Sequence, residues 1–230
     1  MPVLGKPRIA IIDFGLGNLY SIQQACHWVG MQARISNDIK ELDSAEALLL
    51  PGVGSFGKAM DALKRLDLVN FLQDYSAGQK PLIGICLGMQ LLMAKSEEFG
   101  QHPGLGIVAG EVVRFEQPGR EEFSLKIPQI GWNSVYTDDG FLHANSNWNR
   151  SPLAGLADGR CMYFVHSYFV KPTSNSVVAS LTTYGGVTYC SSLLQDNTFA
   201  CQFHPERSGP DGLHIYSNIA AWIMKTRRKH

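Results

Sequence analysis

Few of the features that mark membrane, secreted or nucleic-acid-binding proteins occur in this sequence. In 230 residues no apolar run approaches the roughly 20 residues needed to cross a bilayer. The opening "MPVLGKPRIAIID" lacks the charged start, long apolar middle and small-residue cleavage site of a secretory signal, so a cytosolic location is expected. Neither sign of charge dominates: 20 basic residues balance 20 acidic ones, leaving no net field to gather nucleic acid or an anionic membrane. The basic end "KTRRKH" reads as a solvated tail. Cysteine is sparse, with five residues (Cys26, Cys86, Cys161, Cys190 and Cys201) and no CxxC pair. An odd count without close pairs argues against a disulfide framework and against a zinc site. Neither metal nor cofactor is expected, and four of the cysteines are expected in the core. Repeats and low-complexity linkers are also missing, and the length suits one domain spanning 1–230.

What is present alternates. "RIAIIDF" (8–14) is a short β-branched run, and the glycine turn after it leads into helical spacing from Leu19 to Val29, ending at Gly30. "MQARI" and "EALLLPGVG" predict two more strands, "KAMDALKRLDLVNFLQDYSAG" one helical stretch, and "PLIGI" another strand. Strands alternating with helices predict an α/β fold with a doubly wound, mostly parallel sheet covered by helices on both faces. From Gly106 the texture changes. "GIVAGEVVRF", "KIPQIGWNSVY", "CMYFVHSYFV", "SVVASLTTYGG", "VTYCSSLLQ" and "TFACQF" read as successive strands that extend the sheet or add a smaller antiparallel layer. A closing helix carries Leu213, Tyr216, Ile219, Ala220 and Ile223 on one face. The polar interval "TDDGFLHANSNWNRSPLAG" reads as a surface excursion.

The chemistry concentrates where "PLIGI" meets "GMQLLMAK". Functional atoms in α/β proteins gather beyond the carboxyl ends of the parallel strands, and Cys86 lies at such a junction. A buried cysteine is ordinarily a small hydrophobe. The G-x-C-x-G spacing, Gly84 to Gly88, instead fits a nucleophile elbow, whose sharp strand-to-helix turn tolerates only small flanking residues. The helix start would favour a thiolate over a thiol. A proton carrier is available in "QFHPERSG": a strand ends at His204, Pro205 stops it, and Glu206 can reach one ring nitrogen and leave the other for the sulfur. Acyl transfer also needs donors for the developing oxyanion. "LLLPGVGSFG" follows a strand expected beside the elbow strand, and its glycines permit an amide to turn toward Cys86 and join that of Leu87.

Together these segments resemble the class I, or triad-type, glutamine amidotransferases, whose pattern pairs a G-x-C-x-G cysteine with a downstream H-P-E. "IDFGLGNLYSI", "LPGVGSFGKAMDAL", "GICLGMQLLM", "IPQIGWNSV", "YFVHSYFV" and "QFHPERSG" narrow the resemblance to the glutaminase branch that serves imidazole glycerol phosphate synthase, over nearly the whole chain. The resemblance implies release of ammonia from L-glutamine through a cysteine thioester. It makes Cys86 the nucleophile, His204 the general base and then acid, and Glu206 the orienting carboxylate. Gly52, Val53 and Leu87 would serve the oxyanion once the "PGVG" strand turns, and Gln90, with Ser167 and Tyr168 of the "HSY" segment, would cradle the amino-acid end of glutamine. It further implies docking on a (β/α)8 cyclase subunit in histidine biosynthesis, with little turnover in the partner's absence. Arg207 stands where the family usually carries lysine. The stretch 137–150 is longer than in compact members, which keeps open a related branch feeding ammonia to sugar-amidating synthetases. An inactive scaffold on the same fold would usually have lost part of the Cys86, His204 and Glu206 set. A peptidase or γ-glutamyl hydrolase would share the elbow, but the "HPE" segment and Gln90 favour glutamine as donor.

Overall fold

A computed structural model describes residues 5–78, 80–116, 126–137 and 146–227. The first half runs β1 (Arg8–Ile12), α1 (Leu19–Trp28), β2 (Gln32–Ser36), α2 (Ile39–Ser44), β3 (Ala47–Leu50), α3 (Phe56–Arg65), α4 (Leu68–Ser76), β4 (Leu82–Ile85) and α5 (Leu87–Leu91). The second half runs β5 (Met93–Ser96), β6 (His102–Pro103), β7 (Val108–Arg114), β8 (Gln129–Val135), α6 (Asn147–Arg150), β9 (Arg160–His166), β10 (Tyr168–Pro172), β11 (Val178–Tyr184), β12 (Val187–Gln195), β13 (Thr198–Cys201) and α7 (Gly209–Arg227). The main sheet has the order β2-β1-β3-β4-β13-β12-β10-β7-β5-β6, with β11 beside β12, while β8 and β9 form a separate antiparallel pair. Both arrangements expected for the second half therefore occur, an extended sheet and a small additional layer.

The block from β2 to β13 is parallel; within it β1, β3, β4 and β13 are buried on both faces apart from Arg8 at the start of β1, while the edge strand β2 is partly exposed. Because strand side chains alternate, Ile9, Ile11, Ala47, Leu49, Ile83 and Ile85 enter one buried layer. Ala10, Ile12, Leu48, Leu50 and Leu82 enter the opposite one. Removing each such Leu or Ile side chain from water contributes about 2 kcal/mol, so both faces of these strands hold the sheet to its helices. That double burial is why the strands read as unbroken apolar runs. On α7, Tyr216, Ile219 and Ile223 are buried and Leu213 and Ala220 pack at the margin, as its spacing predicts.

Several local expectations are corrected. The single helical stretch of 58–78 is two helices, broken at Asp67, which takes a left-handed φ of 56°. The helix after Cys86 ends at Leu91, and Met93–Ser96 is a strand; residues 87 to 93 are buried on every side, so the sequence carries no amphipathic stripe to mark where helix yields to sheet. Helix α2, which the sequence reading missed, starts at Asp38, whose carboxylate accepts from the Lys40 and Glu41 amides. "CMYFVHSYFV" is two strands in different sheets, parting at Ser167. Of the four cysteines expected in the core, Cys26, Cys190 and Cys201 are buried but Cys161 is exposed, because it lies on the open side of the β8–β9 pair. In the polar interval, residues 138–145 lie outside the described set. Its Trp148 is buried at 1% exposure, and Asn147 beside it donates to the Ser176 and Val178 carbonyls.

One polar group sits deep in the aromatic layer. His166 packs against Phe115, Phe164 and Tyr189; its Nδ1 lies 2.8 Å from the Tyr168 carbonyl and its Nε2 3.2 Å from the Tyr189 hydroxyl. In the neutral ring the proton on Nδ1 donates to the Tyr168 carbonyl, which can only accept. Burial, opposed by the Tyr168 carbonyl and aided by His204, lowers its pKa from 6.5 to about 4. The unfolded chain therefore takes up this proton at a higher pH than the folded one. Its stabilising contribution is complete above pH 6.5 and is lost as pH falls toward 4. Urea unfolding between pH 6.5 and 4.5 is expected to show a stability slope approaching about 1.4 kcal/mol per pH unit from this group. His166→Asn should flatten that slope, and an unchanged slope would contradict the assignment.

Candidate active site

The site is built where β4 and β13 end side by side. They pair in parallel with Ile85 opposite Cys201, and the Cys86 amide donates to the Cys201 carbonyl at 2.8 Å. One strand then delivers Cys86 and its neighbour, three residues on, delivers His204. Cys86 adopts φ 54° and ψ −110°, a conformation that non-glycine residues rarely hold and that the surroundings must enforce. The enforcement is visible at Gly88: a Cβ there would stand 1.9 Å from the Leu50 carbonyl oxygen, so α5 can lie this close to the end of β3 only with glycine at that position. At Gly84 a Cβ would meet Ala200 at 3.0 Å and the Gly88 backbone at 3.1 Å.

His204 is held from several directions. Its amide donates to the Tyr163 carbonyl at 2.9 Å, and its own carbonyl accepts the Ser208 hydroxyl at 2.7 Å. The ring Nδ1 lies 2.8 Å from Glu206 Oε1, with both side chains buried. The short 3-10 turn Pro205–Arg207 brings the carboxylate back toward the ring. Nε2 is buried without a completed hydrogen bond and is the ring atom left for Cys86. Burial alone would push the His204 pKa down, but the Cys86 sulfur and then the Glu206 carboxylate outweigh it and raise it from 6.5 to about 10.

Helix α5 has only five residues, so what it offers beside Cys86 is the unpaired amide of Leu87, its first residue, more than a summed helix dipole. Strand β3 pairs with β4, Leu50 opposite Gly84, and carries the loop from Pro51 to Ser55 alongside. Gly52 lies against Leu87, where an added Cβ would be 2.9 Å from the Leu87 Cβ. Val53 is 42% exposed and Gly54 has φ 102°. The far end of the loop is tied by the buried Glu98 carboxylate, which accepts the Phe56 amide at 2.5 Å at the start of α3. Between its two anchors the loop's middle faces outward.

Gln90 is buried, and its Nε2 donates to the Tyr168 carbonyl at 2.9 Å and to Gln202 Oε1 at 3.0 Å. This joins the elbow helix to the seam where β9 and β10 part. Ser167 lies at that seam, half-buried, its carbonyl accepting the Phe115 amide. The structure therefore gathers Cys86, His204 and Glu206 in one place, sets Gly52 and Leu87 beside them, and ties Gln90 to Tyr168. Sequence reasoning passed over Gln202, whose Nε2 lies 3.6 Å from the Cys86 sulfur. The available signal was its spacing, since two residues before His204 in an extended segment shares a face with it.

Comparison with known proteins agrees with this geometry. The family model for glutamine amidotransferase class-I matches residues 10–221. The chain is 42% identical over 212 residues to the imidazole glycerol phosphate synthase subunit HisH of Rhodopirellula baltica, covering 92% of this chain and 96% of that protein. It is 41% identical to the HisH subunit of Thermosynechococcus vestitus, covering 96% and 99%. It is also 42% identical to that of Aquifex aeolicus, covering 92% and 95%. In fold it is similar to PurLQS from Thermotoga maritima, with a TM-score of 0.67 at 19% identity over 94% of this chain and 99% of that one. A solved glutamine amidotransferase gives a TM-score of 0.67 at 18% identity, covering 93% and 98%. An elbow cysteine beside a carboxylate-held histidine and full-length similarity thus agree: the chain belongs to the class-I glutamine amidotransferases, in the HisH family.

Proposed function

We propose that Cys86, His204 and Glu206 are the working groups of this glutaminase subunit of imidazole glycerol phosphate synthase, and that it delivers ammonia to a (β/α)8 cyclase subunit. The observation that carries the reading is the His204 ring, fixed at Nδ1 by Glu206 and raised in basicity by the Cys86 sulfur. The thiolate of Cys86 attacks the side-chain carbonyl carbon of L-glutamine, and the carbonyl electrons move onto oxygen. Amides of Leu87 and of the Gly52–Val53 segment receive that oxyanion once the loop turns. His204 then gives its proton to the departing nitrogen, ammonia leaves, and a thioester remains on Cys86. The neutral ring next takes a proton from water, whose oxygen attacks the thioester; glutamate departs and the thiolate and imidazolium return. Glu206 holds the ring's tautomer and orientation throughout.

Gln90 supports the placement of substrate. With its amide N–H groups spent on Tyr168 and Gln202, what it has left to offer is Oε1, an acceptor suited to the glutamine α-ammonium group. Ser167 and Tyr168 complete that end of the pocket. For the partner, the support lies beside His204. Trp132, 59% exposed, meets the Tyr163 ring edge-on, and the Arg207 guanidinium lies over that ring, 4.4 Å from its centroid. Tyr163 also holds the His204 backbone, so a protein seated on this cluster touches groups bonded directly to the triad. An exposed aromatic next to an arginine is the composition of an interface anchor. Among the described residues no helix is long and apolar enough to cross a membrane.

Cys86→Ala is expected to abolish ammonia release from glutamine while complex formation survives. His204→Asn should lower turnover by about a thousandfold, and Glu206→Gln by less, because the base remains when its orienting group is lost. Ammonia assays with and without the cyclase and its nucleotide ligand measure this. Full activity of the alanine variant, or equal losses at positions 204 and 206, would overturn these roles. Trp132→Ala should weaken cyclase binding about tenfold by calorimetry. Trp28 is 79% exposed at the C-terminal end of α1, hence near the N-terminal ends of the parallel strands and at the other end of the sheet from Cys86; Trp28→Ala should leave binding unchanged. Equal effects of the two would contradict the proposed face.

A further inference from the structure

Four groups form a directed chain ending at the sulfur. The Tyr168 carbonyl can only accept hydrogen bonds, so the Gln90 atom 2.9 Å from it must be the amide nitrogen. That same nitrogen lies 3.0 Å from the end of the Gln202 side chain, which must therefore present oxygen. The other end of Gln202, 3.6 Å from Cys86 Sγ, is then its nitrogen. A backbone carbonyl on β10 thus settles the orientation of two side-chain amides that would otherwise fit either way round. His166 Nδ1, at 2.8 Å, occupies the same carbonyl from its other side and holds it in place. Gln202 is fully buried, so water cannot take over its role.

From this chain we infer that Gln202 is a catalytic residue, a fixed amide donor to the Cys86 sulfur that stabilises the thiolate. The sulfur faces two backbone or side-chain partners with different preferences. The Val165 carbonyl, 4.0 Å away, can only receive a proton from the thiol, whereas the Gln202 amide favours the anion. With His204 carrying the proton, the amide supplies an uncharged donor that does not change state during the cycle. Each time the thiolate is expelled from the thioester, the same donor receives it. Preorganised donors of this kind act without rearrangement. Donation to Gln202 also gives Gln90 a second duty besides the substrate end of the pocket.

The inference rests on Cys86 being the nucleophile, and the test separates the two. Gln202→Glu keeps an acceptor for Gln90 but turns a carboxylate oxygen toward the sulfur; Gln202→Leu removes both links. Alkylation of Cys86 by iodoacetamide is followed from pH 5 to 9 by mass spectrometry of its peptide, without glutamine, in the full chain. The midpoint of the pH–rate curve should rise by about one unit in both variants, which lowers the rate by about tenfold at pH values below the wild-type midpoint. Glutamine turnover should lose kcat with little change in KM. Midpoints equal to wild type in a folded variant would overturn the role of Gln202. Failure of wild-type Cys86 to alkylate faster than Cys161 would instead overturn the nucleophile assignment. Should both variants fail to fold, the Gln202 side-chain amide resonances of wild type must follow pH with the alkylation midpoint, and resonances indifferent to pH would refute the inference.

Discussion

The parallel pairing of β4 with β13 is the constraint on which the site depends. Ile85 opposite Cys201 fixes how far each strand reaches, so the residue after one and the third residue after the other meet beyond the sheet edge. A slip of one residue would turn every side chain of β13 to the opposite face and carry His204 away from Cys86. Both strands are buried in their entirety, and burial on two faces specifies register strongly. The chemistry is therefore positioned by apolar packing several residues away from any reacting atom.

Local geometry then refines what register sets. The positive φ of Cys86 is an unfavourable conformation for a cysteine, held because Gly84 and Gly88 let Ala200 and Leu50 come close. His204 gains its orientation from a turn only three residues long. Two histidines in this neighbourhood are driven in opposite directions by their surroundings. His166, enclosed by aromatic rings, is held neutral, while His204, facing a sulfur and a carboxylate, is held protonated. The first keeps a hydrogen-bond scaffold constant, and the second is free to move a proton.

Much of this was legible in the sequence for physical reasons. Buried parallel strands must be continuously apolar, so "RIAIIDF", "EALLLPG" and "PLIGI" announce themselves, and glycines two before and two after a cysteine have few uses other than a tight turn. What stayed hidden depended on tertiary contacts. Uniform burial after Cys86 erased the boundary between α5 and β5, and "CMYFVHSYFV" gave no hint that Ser167 separates two sheets. Trp148 sits in a polar stretch yet is buried, and Cys161 resembles the core cysteines yet lies on an open strand face. Gln202 is the instructive omission, because an amide in a strand looks like a solvated side chain until its neighbours are known.

Nuclear magnetic resonance of the His204 ring nitrogens tests the central claim most directly, since everything turns on one imidazole sharing its field with one sulfur. The ring is expected to remain protonated well above neutral pH, toward about 10, and to become markedly more acidic in Cys86→Ala. A ring that titrates near 6.5 in both proteins would contradict it.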